Sequence, residues 1–159
     1  MIKIQIKSIW GEVLFEHEKE NNTIKDTLEE AVKQGANLNG ANLYGANNIP
    51  FIPYACPSDG AFIGWKKVGD CLVMLEIPED ARRCSCTSQK CRCDKAKVLG
   101  ITNLDTNESV SEIENTSYLP TVTYVVGEMV YPDSFDENRW NECSHGIYFY
   151  INKQNAIDY

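Results

Sequence analysis

The decapeptide CSCTSQKCRC, residues 84–93, places Cys84, Cys86, Cys91 and Cys93 within ten positions. Successive strand side chains point to opposite faces, so each C-x-C pair, in extended backbone, presents both thiols on one face. The link TSQK has the length of a hairpin turn. A turn over 87–90 sets Cys86 opposite Cys91 and Cys84 opposite Cys93. Cross-strand Cβ atoms then lie about 4.5–5.5 Å apart, close to what four sulfurs around one zinc ion require. Four thiolates with no open coordination position describe a structural Zn2+ site, and the neighbouring Arg82, Arg83, Lys90 and Arg92 favour the thiolate form. In a variant, Cys143 or His145 replaces one of these ligands, because CSH offers another i, i+2 pair. Three further readings stay open: buried thiols that only pack, disulfides, and an iron–sulfur cluster, whose usual spacings this segment does not resemble. The count of seven cysteines is odd, which disfavours complete pairing.

Other reactive residues are sparse. Cys143, Ser144 and His145 are consecutive, and adjacent side chains do not form a dyad by being neighbours. His17 sits in an alternating segment as a surface residue, and Cys56 and Cys71 read as core thiols. Glu79 and Asp80 read as a turn or helix start. Phe135 to Trp140, FDENRW, mixes aromatics with charge and reads as packing around Arg139, or as an interface. There is no Walker loop, no G-x-G-x-x-G and no H-E-x-x-H. No catalytic set is expected.

The formal net charge is −8 over 159 residues, which argues against a general nucleic-acid binder and suits a partner with a basic surface. The charge is segregated. From Arg82 to Lys97 there are six basic residues against Asp94, a net +5; from Asp105 to Glu142 there are nine acids against Arg139, a net −8. The start MIKIQIKSIW alternates and lacks the apolar run of a secretory signal, and no stretch has the length of a membrane span. A bacterial cytoplasmic location with reduced thiols is expected.

Positioning these groups requires a mostly short-stranded scaffold. IKIQI and EVLFEHE alternate around SIWG, predicting a hairpin with Ile2, Ile4, Ile6 and Trp10 on one face. Thr23 with Asp26 three residues on predicts an N-cap. Ile24, Leu28, Ala31 and Val32 form the apolar stripe of the helix, and Gly35 stops it. Strands are predicted at AFIGWKK, CLVMLEI, TVTYVVGEMVY (broken at Gly127) and IYFYI, with a short closing helix in NKQNAIDY; DKAKVLGITNL reads as a strand or a short helix, its β-branched tail favouring the strand. NLDTNESVSEIENTS reads as a polar loop. The fold class is α+β, divided as residues 1–49 and 50–159 and packed as one unit, the second part carrying the zinc-bound hairpin.

Residues 36–47 repeat with period five: Ala-Asn-Leu-Asn-Gly, Ala-Asn-Leu-Tyr-Gly, Ala-Asn. This resembles the pentapeptide-repeat pattern, whose long arrays form a four-sided β-helix with the central Leu inward. Two and a half repeats are too few for a solenoid and imply a short turn packed on the domain. Together with IPEDARR, KCRCDKAKVLGI and YPDSFDENRWNECSHGIYFY, the chain resembles phage and prophage proteins of unassigned function that carry a few pentapeptides before a compact domain.

That family offers no activity; an acidic, compact chain without a catalytic set suits a small inhibitor that binds a basic host protein. Among known classes it is most similar to the anti-CRISPR proteins of Gram-positive phages that act on Cas9-type effectors. Such effectors hold nucleic acid in positively charged channels, which an array of carboxylates would fill. The expected partner is a basic host protein, with no direct nucleic acid and no membrane. A second reading is a binding module for a phosphate-bearing ligand or nucleic acid, through the basic segment 82–97. A third is an enzyme using Cys143 or an open zinc site.

Overall fold

A computed structural model describes residues 1–38, 40–43, 53–117 and 121–159. It divides into two compact units. The first comprises Met1–Pro53, Cys86–Ser88 and Asn138–Cys143; the second comprises Tyr54–Ser85, Gln89–Glu137 and Ser144–Tyr159. Residues 44–47 of the pentapeptide stretch, and Asn39 within it, lie outside the described residues.

In the first unit, β1 (Ile2–Lys7) and β2 (Val13–Lys19) pair antiparallel. The register shifts between Ile6 and Lys7, and Gly11 turns the chain at φ +88°. Helix α1 (Ile24–Lys33) follows with the predicted cap. The Thr23 hydroxyl accepts from the Asp26 N–H at 3.1 Å, and the Asp26 carboxylate accepts from the Thr23 N–H at 3.1 Å. Two otherwise unpaired backbone donors are satisfied by this reciprocal box. Gly35 takes φ +65°, the left-handed position that ends a helix.

The core of this unit is narrower than the sequence predicts. Ile6, Leu28, Ala31, Leu38, Ala41, Leu43 and Cys86 are buried together. Ile2, Trp10, Ile24 and Val32 are exposed instead. The buried stripe of α1 is Thr27, Leu28 and Ala31. Thr27 is accommodated because its hydroxyl donates to the Thr23 carbonyl at 3.0 Å. Leu38 and Leu43, the central leucines of the two complete pentapeptides, both point into this core.

The second unit is built on β3 (Phe62–Val68), β4 (Cys71–Ile77) and β7 (Ala96–Asn103), extended by β8 (Ser109–Val110) and β11 (Met129–Val130). Strands β3 and β4 form a hairpin around Gly69 (φ +54°), and β4 pairs antiparallel with β7. β5 (Arg83–Ser85), β6 (Cys91–Cys93) and β12 (Ile147–Phe149) make a three-stranded sheet in the order β12-β6-β5. β9 (Glu112–Asn115) pairs with β10 (Val122–Val125). Helix α2 (Lys153–Ile157), capped by Asn152, closes the chain.

Val73, Leu75, Ile77, Ala96, Val98, Tyr124 and Phe149 form the centre of the second core. β4 reads as an almost continuous apolar run because it is the central strand of its sheet. Burying each of its larger side chains contributes roughly 1.5–3 kcal/mol. Phe149 packs on Phe62 with ring centroids 5.8 Å apart.

The architecture is mixed but more β-rich than the α+β expectation. Among the described residues twelve strands accompany two helices of ten and five residues. The difference arises largely in NLDTNESVSEIENTS, which supplies β8 and β9 rather than a loop. Its strands are short and their outer faces are polar, so the apolar alternation that marks a strand is reduced to Val110 and Ile113.

Candidate functional site

The cysteine segment does form a hairpin, but in a register one residue away from that predicted. Arg83 pairs with Cys93, Cys84 with Arg92 and Ser85 with Cys91. Directly paired residues share a face, so Cys91 and Cys93 lie with Arg83 and Ser85, and Cys84 lies on the other face. The connection therefore spans 86–90, and Cys86 falls beyond β5, in the core of the first unit.

Two long-range anchors select this register. The Arg83 guanidinium donates to the carbonyl oxygens of Gly60 (2.6 Å), Pro78 (2.6 Å), Glu79 (2.7 Å) and Ala81 (3.0 Å), and stacks on Phe62. The Ser85 hydroxyl accepts from the Ala55 N–H at 2.8 Å. Each anchor holds one β5 side chain on the face it shares with Cys93 or Cys91. The spacing of the cysteines alone is equally compatible with both registers.

The register places Cys91 and Cys93 on one face of the hairpin and Cys84 on the other. Cys84, Cys91 and Cys93 are buried in the second unit, and Cys86 in the first. The thiol that meets Cys91 is that of Cys56, by a hydrogen bond that no local spacing predicts. That bond, burial, and the nearby Cys56, Cys84 and Cys93 all raise the Cys91 pKa. Burial likewise raises Cys93, and raises Cys86 to about 11, with Glu142 adding to the effect on Cys86. These thiols are neutral at physiological pH in this arrangement. Among the described residues no group of three or more His, Cys, Asp or Glu side chains is placed to hold a metal ion.

Cys143 is exposed in the first unit. His145, in the second, turns its Nδ1 to the Asp133 carboxylate at 3.0 Å. That contact holds the Asp133 pKa below its ordinary value.

The basic residues of segment 82–97 are largely engaged within the second unit. Arg82 forms ion pairs with Asp94 (2.8 Å) and Glu137 (2.6 Å), and Lys95 with Asp80 (2.6 Å). Arg92 is buried and donates to the Asp136 carbonyl at 3.0 Å. Lys90 is buried, donates to the Tyr159 hydroxyl at 2.9 Å and lies over the rings of Tyr148 (4.4 Å) and Tyr159 (4.9 Å). Lys97, on β7, stays exposed.

The acidic segment behaves differently. β9 turns Ile113 inward against Tyr124, so Glu112 and Glu114 point outward together. Their cross-strand neighbours are Val125 and Thr123. Val126 donates its N–H to the Ser111 carbonyl at 2.9 Å, and Glu128 accepts at its carbonyl from Val98. Val126, Met129 and Tyr131 are exposed, as are Glu112, Glu114 and Glu128. A mixed apolar and acidic surface of this kind fits a protein contact.

One site residue escaped the sequence reading altogether. Lys66 occupies β3 in phase with Gly64 and Val68, both buried, so its side chain leaves from the inward face of the strand. The signal was present in FIGWKKV, where a lysine stands at an alternation position belonging to the core.

Among the described residues no helix is long and apolar enough to cross a membrane. Residues 52–156 match the model of a family of unknown function, DUF5758. No curated protein and no solved structure gives a significant match.

Proposed function

The chain belongs to this family, whose description assigns no activity, and we propose that it works by binding a basic, nucleic-acid-handling host protein and blocking its groove. The observation that carries the reading is the outward pair Glu112 and Glu114 on the β9–β10 hairpin, facing Thr123 and Val125 rather than a cation. Carboxylates left in solvent repel one another and are best neutralised by a complementary basic surface. Val126, Met129 and Tyr131, also exposed, supply apolar contact area. A Cas9-type effector, with its positively charged channel, is the partner that the resemblance favours. The internal engagement of Arg82, Arg83, Lys90, Arg92 and Lys95 weighs against the alternative of a phosphate-reading basic segment.

Zinc enters this proposal only as a structural ion. The set it would use is Cys84, Cys86, Cys91 and Cys93. Cys56 is the nearer substitute, because it already meets Cys91. Metal analysis of protein purified without chelator is expected to give one zinc per chain, lost in Cys91→Ser. A folded, metal-free protein ends the zinc part and leaves the binding part standing.

The binding part is tested by charge reversal. Glu112→Lys with Glu114→Lys is expected to abolish capture of the effector, and its protection from target DNA, without lowering the unfolding midpoint. A double variant that still inhibits at wild-type strength overturns it.

A further inference from the structure

The buried thiols of the second unit are not equivalent. Cys91 shares its strand face with Ser85, its direct cross-strand partner. The Ser85 hydroxyl holds the Ala55 N–H at 2.8 Å, which brings the irregular segment carrying Cys56 onto that same face. Cys56 and Cys91 lie in one core, 5% and 1% exposed, and their thiols are hydrogen-bonded to each other. The other thiols near Cys91 are turned elsewhere. Cys93 donates its S–H to the Ile147 carbonyl at 3.8 Å, and a bridge from it to Cys91 would close a strained C-x-C ring. Cys84 leaves β5 from the opposite face.

The two members of the pair differ. Cys56 is the less buried and stands outside any strand. Cys91 is fixed in β6, between β5 and β12, with its Sγ donating to the Gln89 carbonyl at 3.6 Å. The hydrogen bond with Cys56, and then burial, raise the Cys91 pKa, so Cys91 is the member that keeps its proton. Reaction with a small oxidant therefore starts at Cys56, and Cys91 is placed to resolve it.

We propose that Cys56 and Cys91 are a redox couple, which a hydroperoxide converts to an intrachain disulfide. The Cys56 thiolate attacks one peroxide oxygen of hydrogen peroxide. The O–O bond breaks, the leaving hydroxide takes up the proton that Cys56 gave to solvent, and a sulfenic acid remains on Cys56. The Cys91 sulfur then attacks the Cys56 sulfur. The S–O bond breaks, and the displaced hydroxide leaves with the Cys91 proton as a second water. Two electrons pass from the thiols to the peroxide. The new bond staples the segment around Cys56 to β6 and closes a long loop of chain, which disfavours the unfolded state. The couple goes beyond the acidic-face reading and needs no zinc, so each can fail alone.

The test is peptide mapping of the full chain, reduced, freed of metal by a chelator and treated with a small molar excess of hydrogen peroxide. One crosslinked peptide pair is expected, joining Cys56 to Cys91 and disappearing with dithiothreitol. The oxidised chain is expected to unfold at a higher temperature than the reduced one. Cys91→Ser is expected to leave a sulfenic acid on Cys56 that dimedone traps, and Cys56→Ser to give neither product. Cys143→Ser, which removes the exposed thiol, is expected to leave the crosslink unchanged. The proposal is overturned if Cys143 is oxidised while Cys56 and Cys91 stay reduced. A crosslink from Cys91 to Cys84 or Cys93, or one lost in Cys143→Ser, also overturns it.

Discussion

Gly64 shows how tightly single positions in the second core are specified. A Cβ added there would stand 2.7 Å from Cδ2 of Phe149 and 3.2 Å from its Cγ. Phe149 is fully buried and cannot swing clear. Gly64→Ala is expected to destabilise by about 1–3 kcal/mol through overpacking. Urea unfolding should show a lower midpoint with an unchanged slope. Combining it with Phe149→Leu should cost less than the sum of the two single changes, because the clash partner is gone. Lys66 makes a second prediction at this scale. Its pKa lies near 8 in the folded chain against an ordinary 10.5, so the unfolded chain holds that proton more firmly. The resulting penalty is constant below about pH 8 and fades as pH rises to 10.5. Stability should climb across that window, and Lys66→Met should flatten the climb.

At the scale of elements, α1 and the β9–β10 hairpin are governed by different forces. α1 has one buried stripe and depends on its cap, so Thr23→Ala should cost about 1 kcal/mol in denaturant unfolding. Asp26 is the acid of that box, and its hydrogen bonds and ion pair with Lys19 hold its pKa at about 2, below the usual 3.8. Its stabilisation is present above pH 3.8 and is lost as pH falls through 2; Asp26→Asn should remove that part of the acid transition. The β9–β10 hairpin is held through Ile113 and Tyr124 on its inner face. Its outer carboxylates are therefore free to be exchanged without loss of fold, which makes charge reversal there an informative test of binding. The capping box was legible because it is a local spacing, three residues apart. β9 was not, since a single inward apolar residue in four carries no periodicity.

At the scale of the whole molecule, the net charge of −8 matters through its distribution. Most cations of segment 82–97 are consumed by internal carbonyls, carboxylates and rings, while Glu112, Glu114 and Glu128 stay in solvent. The field that a partner meets is then more negative on that face than composition suggests. Association with a basic partner should be fast at low salt and should slow steeply as ionic strength rises, measured by stopped-flow or surface capture. A rate independent of salt would argue for apolar docking through Val126, Met129 and Tyr131 instead. The cysteine hairpin shows the limit of composition in the same way. Its turn was legible from four closely spaced thiols, but its register was not, because a slip of one residue leaves the pattern of cysteines looking equally sensible.

What the sequence determined by itself was everything decided within a few residues. The cap at Thr23, the glycine stop at Gly35, the β1–β2 hairpin, the strands β3 and β4 and the presence of a turn between Cys84 and Cys93 all follow from local backbone preference and alternation. What the tertiary structure alone decided was which face each strand turns inward. Arg83 reaching Gly60 and Ser85 holding Ala55 choose the cysteine register, and Lys66 becomes a recess-lining cation because tyrosines far along the chain close over it. Such choices rest on contacts between distant segments, whose energies are invisible to any short window of residues.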